Sequence, residues 1–180
     1  MNGKAQAEDK IVEFLKSDER MAIVTGTHML EKHRLVLSTL EEHLEGANIL
    51  FRSSGMNNIS YFLRSAKELK TGSPYRTLNN TVYVDTVNKR TWGKHDPVIH
   101  VAVVYPLKSI ENERLRADLI RNLIETYNVN KLIFVSSQDT LDLSWTSPIK
   151  TKIVYDSFED DPEYHQRVLD NMNKFGFPRT

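Results

Sequence analysis

The 180-residue chain contains no cysteine. That excludes a disulfide framework and any thiolate metal site. It also lacks an excess of either charge, because 24 Lys plus Arg balance 24 Asp plus Glu. A bulk electrostatic attraction to nucleic acid is therefore not supported, and only a local basic strip could serve one. No apolar run approaches the ~20 residues that span a bilayer, so no membrane partner is expected. The opening MNGKAQAEDKIVEFL has no basic segment followed by a continuous apolar stretch, so no signal peptide is expected and a cytoplasmic, soluble protein is the default. Repeats, low-complexity tracts and linkers are missing as well. What remains is one domain of ordinary composition, long enough to bury a core.

The stretch around which the chain is organised is Met21–Leu44. The apolar run Met21–Val24 breaks at Thr25-Gly26-Thr27, and a helix-patterned segment with Leu30, Leu37, Leu40 and Leu44 on one stripe follows. Strand, glycine turn and helix together present backbone N–H groups to a phosphate. A short amphipathic helix over 5–16 precedes this unit. Ala47–Arg52 reads as a second strand and Met56–Leu69 as a helix. Thr81–Trp92 is rich in β-branched and aromatic residues about Asn88-Lys89, which predicts an inserted β-hairpin. Val98–Tyr105, the longest apolar run, fits a strand buried on both faces. A helix capped by Ser109 follows it. Lys131–Val135 and Thr151–Tyr155 read as further strands, and a last helix over 161–174 has Asp160 or Asp161 as its cap and Gly176 as its stop. Alternating strands and helices through a core of 21–157 predict a single α/β three-layer sandwich: a mostly parallel sheet of about five strands with helices on both faces.

In open α/β sheets, ligands gather outside the carboxyl ends of the strands. Here those ends carry Thr25-Gly26-Thr27-His28, Arg52-Ser53-Ser54, Tyr105, Ser136-Ser137-Gln138-Asp139 and Asp156-Ser157. Hydroxyls and an arginine donate to phosphate, and a carboxylate can hold magnesium or a ribose. The candidate cofactor-binding set is therefore Thr25, Gly26, Thr27, Lys32, Arg52, Ser136 and Asp139. The same residue types are also common wherever strands give way to turns and caps.

Gly26–His33, GTHMLEKH, has the spacing of the phosphate loop G-x-x-x-x-G-K-[ST], with Lys32 at the lysine position. Glu31 stands in place of the second glycine and His33 in place of the magnesium-binding hydroxyl. The order of parts over residues 21 to about 157 resembles the additional-strand class of P-loop NTPases, the group of helicases and viral DNA-packaging terminases. GTHMLEKH resembles the Walker A element. ILFRSS is similar to an arginine-bearing second strand, and KLIFVSSQDT to the strand that couples hydrolysis to motion. VIHVAVVYPL occupies the Walker B position, but Tyr105-Pro106-Leu107 replaces the acidic pair. The resemblance implies a nucleotide- or phosphate-binding domain with weak or no phosphohydrolase activity; the ligand is left open, a nucleotide such as ATP with or without magnesium. Other chemistries find less support. None of the six histidines makes an H-x-x-x-H pair, so no zinc site is expected. The nucleophile-elbow pattern around Ser136 is absent. Asp139, Asp142, Asp156, Asp160 and Asp161 have no nuclease-like spacing, and no catalytic residue is assigned. The basic strip Lys32, His33, Arg34, Arg52, Arg64 and Lys67 suits a solvated face as well as DNA. The alternative is a non-catalytic interaction subunit or regulator, with a protein partner or a second copy of itself, in a nucleic-acid-handling or other assembly.

Overall fold

The computed structural model describes residues 2–94, 98–138 and 140–177. Among the described residues there are five α-helices and seven strands. The strands are β1 (Met21–Thr25), β2 (Asn48–Ser53), β3 (Tyr75–Arg76), β4 (Thr81–Thr86), β5 (Val101–Tyr105), β6 (Lys131–Val135) and β7 (Thr151–Val154). The helices are α1 (Lys4–Lys16), α2 (Lys32–His43), α3 (Met56–Phe62), α4 (Glu113–Arg121) and α5 (Pro162–Phe175). The expected α/β sandwich is present, with seven strands rather than five.

The strands form one sheet in the order β3-β4-β2-β5-β6-β1-β7. Every neighbouring pair is parallel except β3 with β4. Alternate side chains feed two separate apolar layers, as a two-faced sheet requires. Ala22, Val24, Phe51, Val103 and Ile133 pack with α1, α2 and α3 on one face. Ile23, Leu50, Val104, Leu132 and Phe134 pack with α4 on the other.

Several local expectations are corrected. Thr81–Trp92 is not a hairpin: β4 runs parallel to β2, and Lys89–Thr91 forms a single 3-10 turn. The antiparallel partner of β4 is β3, on the preceding side. Asn88-Lys89 looked like a hairpin tip because Asn88 accepts a local hydrogen bond from the Arg90 N–H, which is turn chemistry without a returning strand. The helix expected to run to Leu69 ends at Phe62, because Arg64 enters the left-handed region at φ 50°. Asn112, not Ser109, caps α4 by accepting from the Leu115 N–H. Ser109 lies in the preceding 3-10 turn and donates to the Pro106 carbonyl. Asp161 caps α5, and Gly176 ends it with φ 73°, both as expected.

Candidate functional site

The turn after β1 lies where the last residues of β1 and β7 run side by side. Gly26 adopts φ +119°, and a Cβ there would lie 2.1 Å from the Tyr155 carbonyl oxygen. No other residue type meets both demands. The close approach lets the Tyr155 N–H reach the Thr25 carbonyl at 2.8 Å and the His28 N–H reach the Tyr155 carbonyl at 3.3 Å. The turn is thus fastened to the end of β7.

The groups that a phosphate would need are engaged from inside the protein. The Thr27 N–H donates to Asp156 Oδ1 at 3.0 Å, and Asp156 is buried. Its carboxylate occupies the place of an anion on the turn. Lys32 is fully buried and its ammonium donates to the Gly26 carbonyl. The Thr27 hydroxyl accepts from the Ser157 N–H at 2.9 Å, lies 3.2 Å from Ser157 Oγ, and meets His165 Nδ1 of α5 at 2.8 Å. Residues 156, 157 and 165 were not in the expected set. Asp156 and Ser157 stand among the strand ends expected to gather at this edge, whereas His165 does not; all three are remote in the chain, with separations of 129, 130 and 138 residues, so no local pattern pairs them with Thr27.

Of the expected set, Thr25, Gly26, Thr27 and Lys32 come together at this turn. Ser136 joins them, since its N–H donates to the Val24 carbonyl at 2.9 Å across the β1–β6 ladder and the residue is fully buried. Arg52 does not. Its strand lies three strand spacings from β1 in the sheet order, roughly 14 Å away. The ladder also sets it level with Ile23, below the strand end. Its guanidinium forms a two-pronged pair with Asp85, 2.7 Å at both contacts, and donates to Asn122 Oδ1 at 2.9 Å. Trp92 lies over it at 4.5 Å. Arg52 is spent inside the fold. Asp139 lies outside the described residues.

At the end of β5, Tyr105 stacks on His33 with ring centroids 4.1 Å apart. Burial pushes the Tyr105 hydroxyl up to about 12, so it stays protonated. His33 donates from Nε2 to the Phe62 carbonyl at 3.0 Å, and its Nδ1 is buried with no partner among the described residues. Burial lowers its pKa to about 4, so the ring is neutral at pH 7. This is a packed aromatic junction where the NTPase resemblance would place magnesium chemistry.

Two hollows adjoin the turn. One, of about 150 Å3, is bounded by Gly26, Thr27, Ser137, Gln138 and the α5 residues Tyr164 and Val168. The other, of about 660 Å3, opens on the far side of the α2 entrance, with His28, Glu31, Arg34, Arg64, Tyr155 and Asp160 on its walls. No group of three or more His, Asp or Glu side chains suited to a metal ion occurs among the described residues, and no described helix is long and apolar enough to cross a membrane. No protein-family model matches the sequence, and no curated protein matches it.

Proposed function

We propose that this chain is a non-catalytic interaction domain built on the layout of an additional-strand NTPase, a subunit or regulator of a larger assembly. The sheet supports that layout. β6 lies between β1, which leads into the glycine turn, and β5, which takes the Walker B position. This is where the class that the sequence resembles carries its extra strand. The observation that favours an interaction role over catalysis is the internal occupation of the turn. The Thr27 N–H is held by Asp156 and the Lys32 ammonium by the Gly26 carbonyl. A phosphate would have to displace a buried carboxylate, and breaking buried charge-assisted bonds is costly.

Weak nucleotide or phosphate binding is the second reading, favoured by the hollow of about 150 Å3 beside Gly26 and Thr27. In that case Thr25, Gly26, Thr27, Lys32 and Ser136 would form the cradle. Its volume suits a phosphate group and not a whole nucleotide, since ligand pockets for small molecules run from about 300 Å3 upward.

Thermal unfolding with ATP, GTP and ADP, with and without magnesium, separates the two. The expected result is no rise in midpoint at millimolar nucleotide for the native chain or for Lys32→Ala. Lys32→Ala itself loses about 1–3 kcal/mol of stability through the lost buried packing and hydrogen bond. A nucleotide-dependent rise that Lys32→Ala abolishes would overturn the interaction reading and establish the second.

A further inference from the structure

Glu31, the residue that breaks the phosphate-loop pattern, lines the larger hollow. There Oε1 accepts from Arg34 Nη1 and from Arg64 Nη2, the latter at 3.1 Å. One carboxylate oxygen thus bridges two guanidiniums that approach from α2 and from the end of α3. Among the described residues each arginine makes this one ion pair, which leaves most donors on each fork for other acceptors. Arg34 Nε is buried with no partner among the described residues. The floor between them is apolar, formed by Leu35, Phe62 and Leu63. At about 660 Å3 the hollow has the size of a small-molecule site.

Arg64 carries a second, independent signal. It occupies the left-handed position that ends α3, with φ 50°. The Ser65 N–H reaches back to the Ser60 carbonyl at 2.8 Å, as such a helix end requires. Glycine or asparagine is the residue of least strain there, and other residues with a Cβ are held at a cost because it crowds the following carbonyl. An arginine kept in a strained position beside a cleft points to use of its side chain.

We propose that this cleft receives a phosphate monoester carried on an apolar body, with Glu31 as a tethered anion that the phosphate displaces. The choice of phosphate over carboxylate follows from Glu31. A free carboxylate would exchange like for like against a competitor that is already attached. A phosphate monoester brings close to two negative charges and three acceptor oxygens, enough to take up the idle donors of both forks. The apolar body would lie on Phe62 and Leu63. The assignment does not rest on how the Gly26 turn is used, because the guanidiniums of both arginines bond to Glu31 and not to Gly26, Thr27 or Lys32 among the described residues.

Phenyl phosphate is the probe, titrated by calorimetry at low salt and pH 7.5 against inorganic phosphate and phenol. Saturable one-to-one binding of phenyl phosphate is expected, stronger than that of either control. Glu31→Gln removes the competitor's charge and tightens binding several-fold. Arg64→Gly weakens it by about tenfold or more, while its thermal midpoint holds or rises because the strain is relieved. That opposition between stability and affinity is not produced by a residue with a purely structural role. Absence of saturable binding overturns the proposal. So does Glu31→Gln that binds no better, or Arg64→Gly that binds as well as the native chain. N-acetyl-phosphotyrosine amide distinguishes the sources: tighter binding than phenyl phosphate marks a phosphorylated segment of a partner, and equal or weaker binding marks a free ester. Lys32→Ala leaves phenyl phosphate binding intact, so failure here and failure of the reading of the turn are separable.

Discussion

Arg52 shows how a single residue can mislead. A lone arginine at the end of a strand, among serines, has the chemistry of a phosphate donor. Asp85, which neutralises it, sits 33 residues away on the neighbouring strand, and no pattern in the sequence announces that register. The pair is buried on both sides, with the side chains 0% and 1% exposed. Breaking one partner leaves the other charged and buried, which costs about 3–5 kcal/mol. Arg52→Met is therefore expected to lower unfolding free energy by that much in urea, and Asp85→Leu by a similar amount. The double variant recovers most of the loss, because both charges are then gone. A double-mutant cycle showing simple additivity would contradict the paired geometry. Gly26 was legible for the opposite reason: its demand is local, a sharp left-handed turn between strand and helix. Gly26→Ala places a methyl 2.1 Å from a backbone oxygen at φ +119°. The expected loss is about 3 kcal/mol from strain and overpacking together, read by the same denaturation.

Elements were legible where burial alone decides them. β1, β5 and β6 are near-continuous apolar runs because helices cover both faces of the sheet, and their positions followed from the sequence within a few residues. β4 begins at Thr81 as the sequence predicts, but its pairing differs because its partner, β2, is remote and its exit turn has hairpin chemistry. The apolar spacing of α3 continues past Phe62 and predicts too long a helix, whereas the backbone turns left-handed at Arg64 without the glycine that usually marks such an end. α5 was found with its cap and stop, but its function in the fold was not. Met172 is its one buried residue, and the Thr27–His165 hydrogen bond at 2.8 Å ties the helix to the turn. An element with so little buried apolar surface opens at a fraction of the global free energy. Hydrogen exchange is expected to report α5 amides as far less protected than those of β5 and β6. Met172→Ala should lower α5 protection further by about 2 kcal/mol while leaving the central strands unchanged. Equal protection of α5 and the central strands would show that the helix is docked more firmly than its contacts indicate.

At the scale of the whole molecule, His33 is the joint on which several elements meet. It belongs to α2, donates to the end of α3, stacks on Tyr105 of β5 and lies 6.2 Å from the Phe51 ring of β2. The donation to the Phe62 carbonyl fixes the proton on Nε2. A second proton would fall on Nδ1, which is buried and has no acceptor among the described residues. Burial accordingly lowers the folded pKa from 6.5 to about 4. Between these two values the unfolded chain binds more protons than the folded one, so stability rises with pH across that window. The contribution is fully present above the unfolded value of 6.5 and is lost as pH falls through the folded value of about 4. Its full size is roughly 3 kcal/mol at about 1.4 kcal/mol per pH unit. Acid unfolding of the native chain should therefore begin below pH 6.5, before ordinary carboxylates titrate. His33→Leu replaces the ring stack on Tyr105 with an aliphatic contact and cannot be protonated. It is expected to be less stable at neutral pH, where the hydrogen bond to Phe62 is lost, yet to show a flat stability between pH 6.5 and about 4.5. Urea denaturation at stepped pH measures both curves. Parallel slopes for the two proteins would mean that His33 is not the group that couples protons to folding. The residue that stands where the phosphate-loop pattern calls for a metal-binding hydroxyl would then have no part in the acid response of the fold.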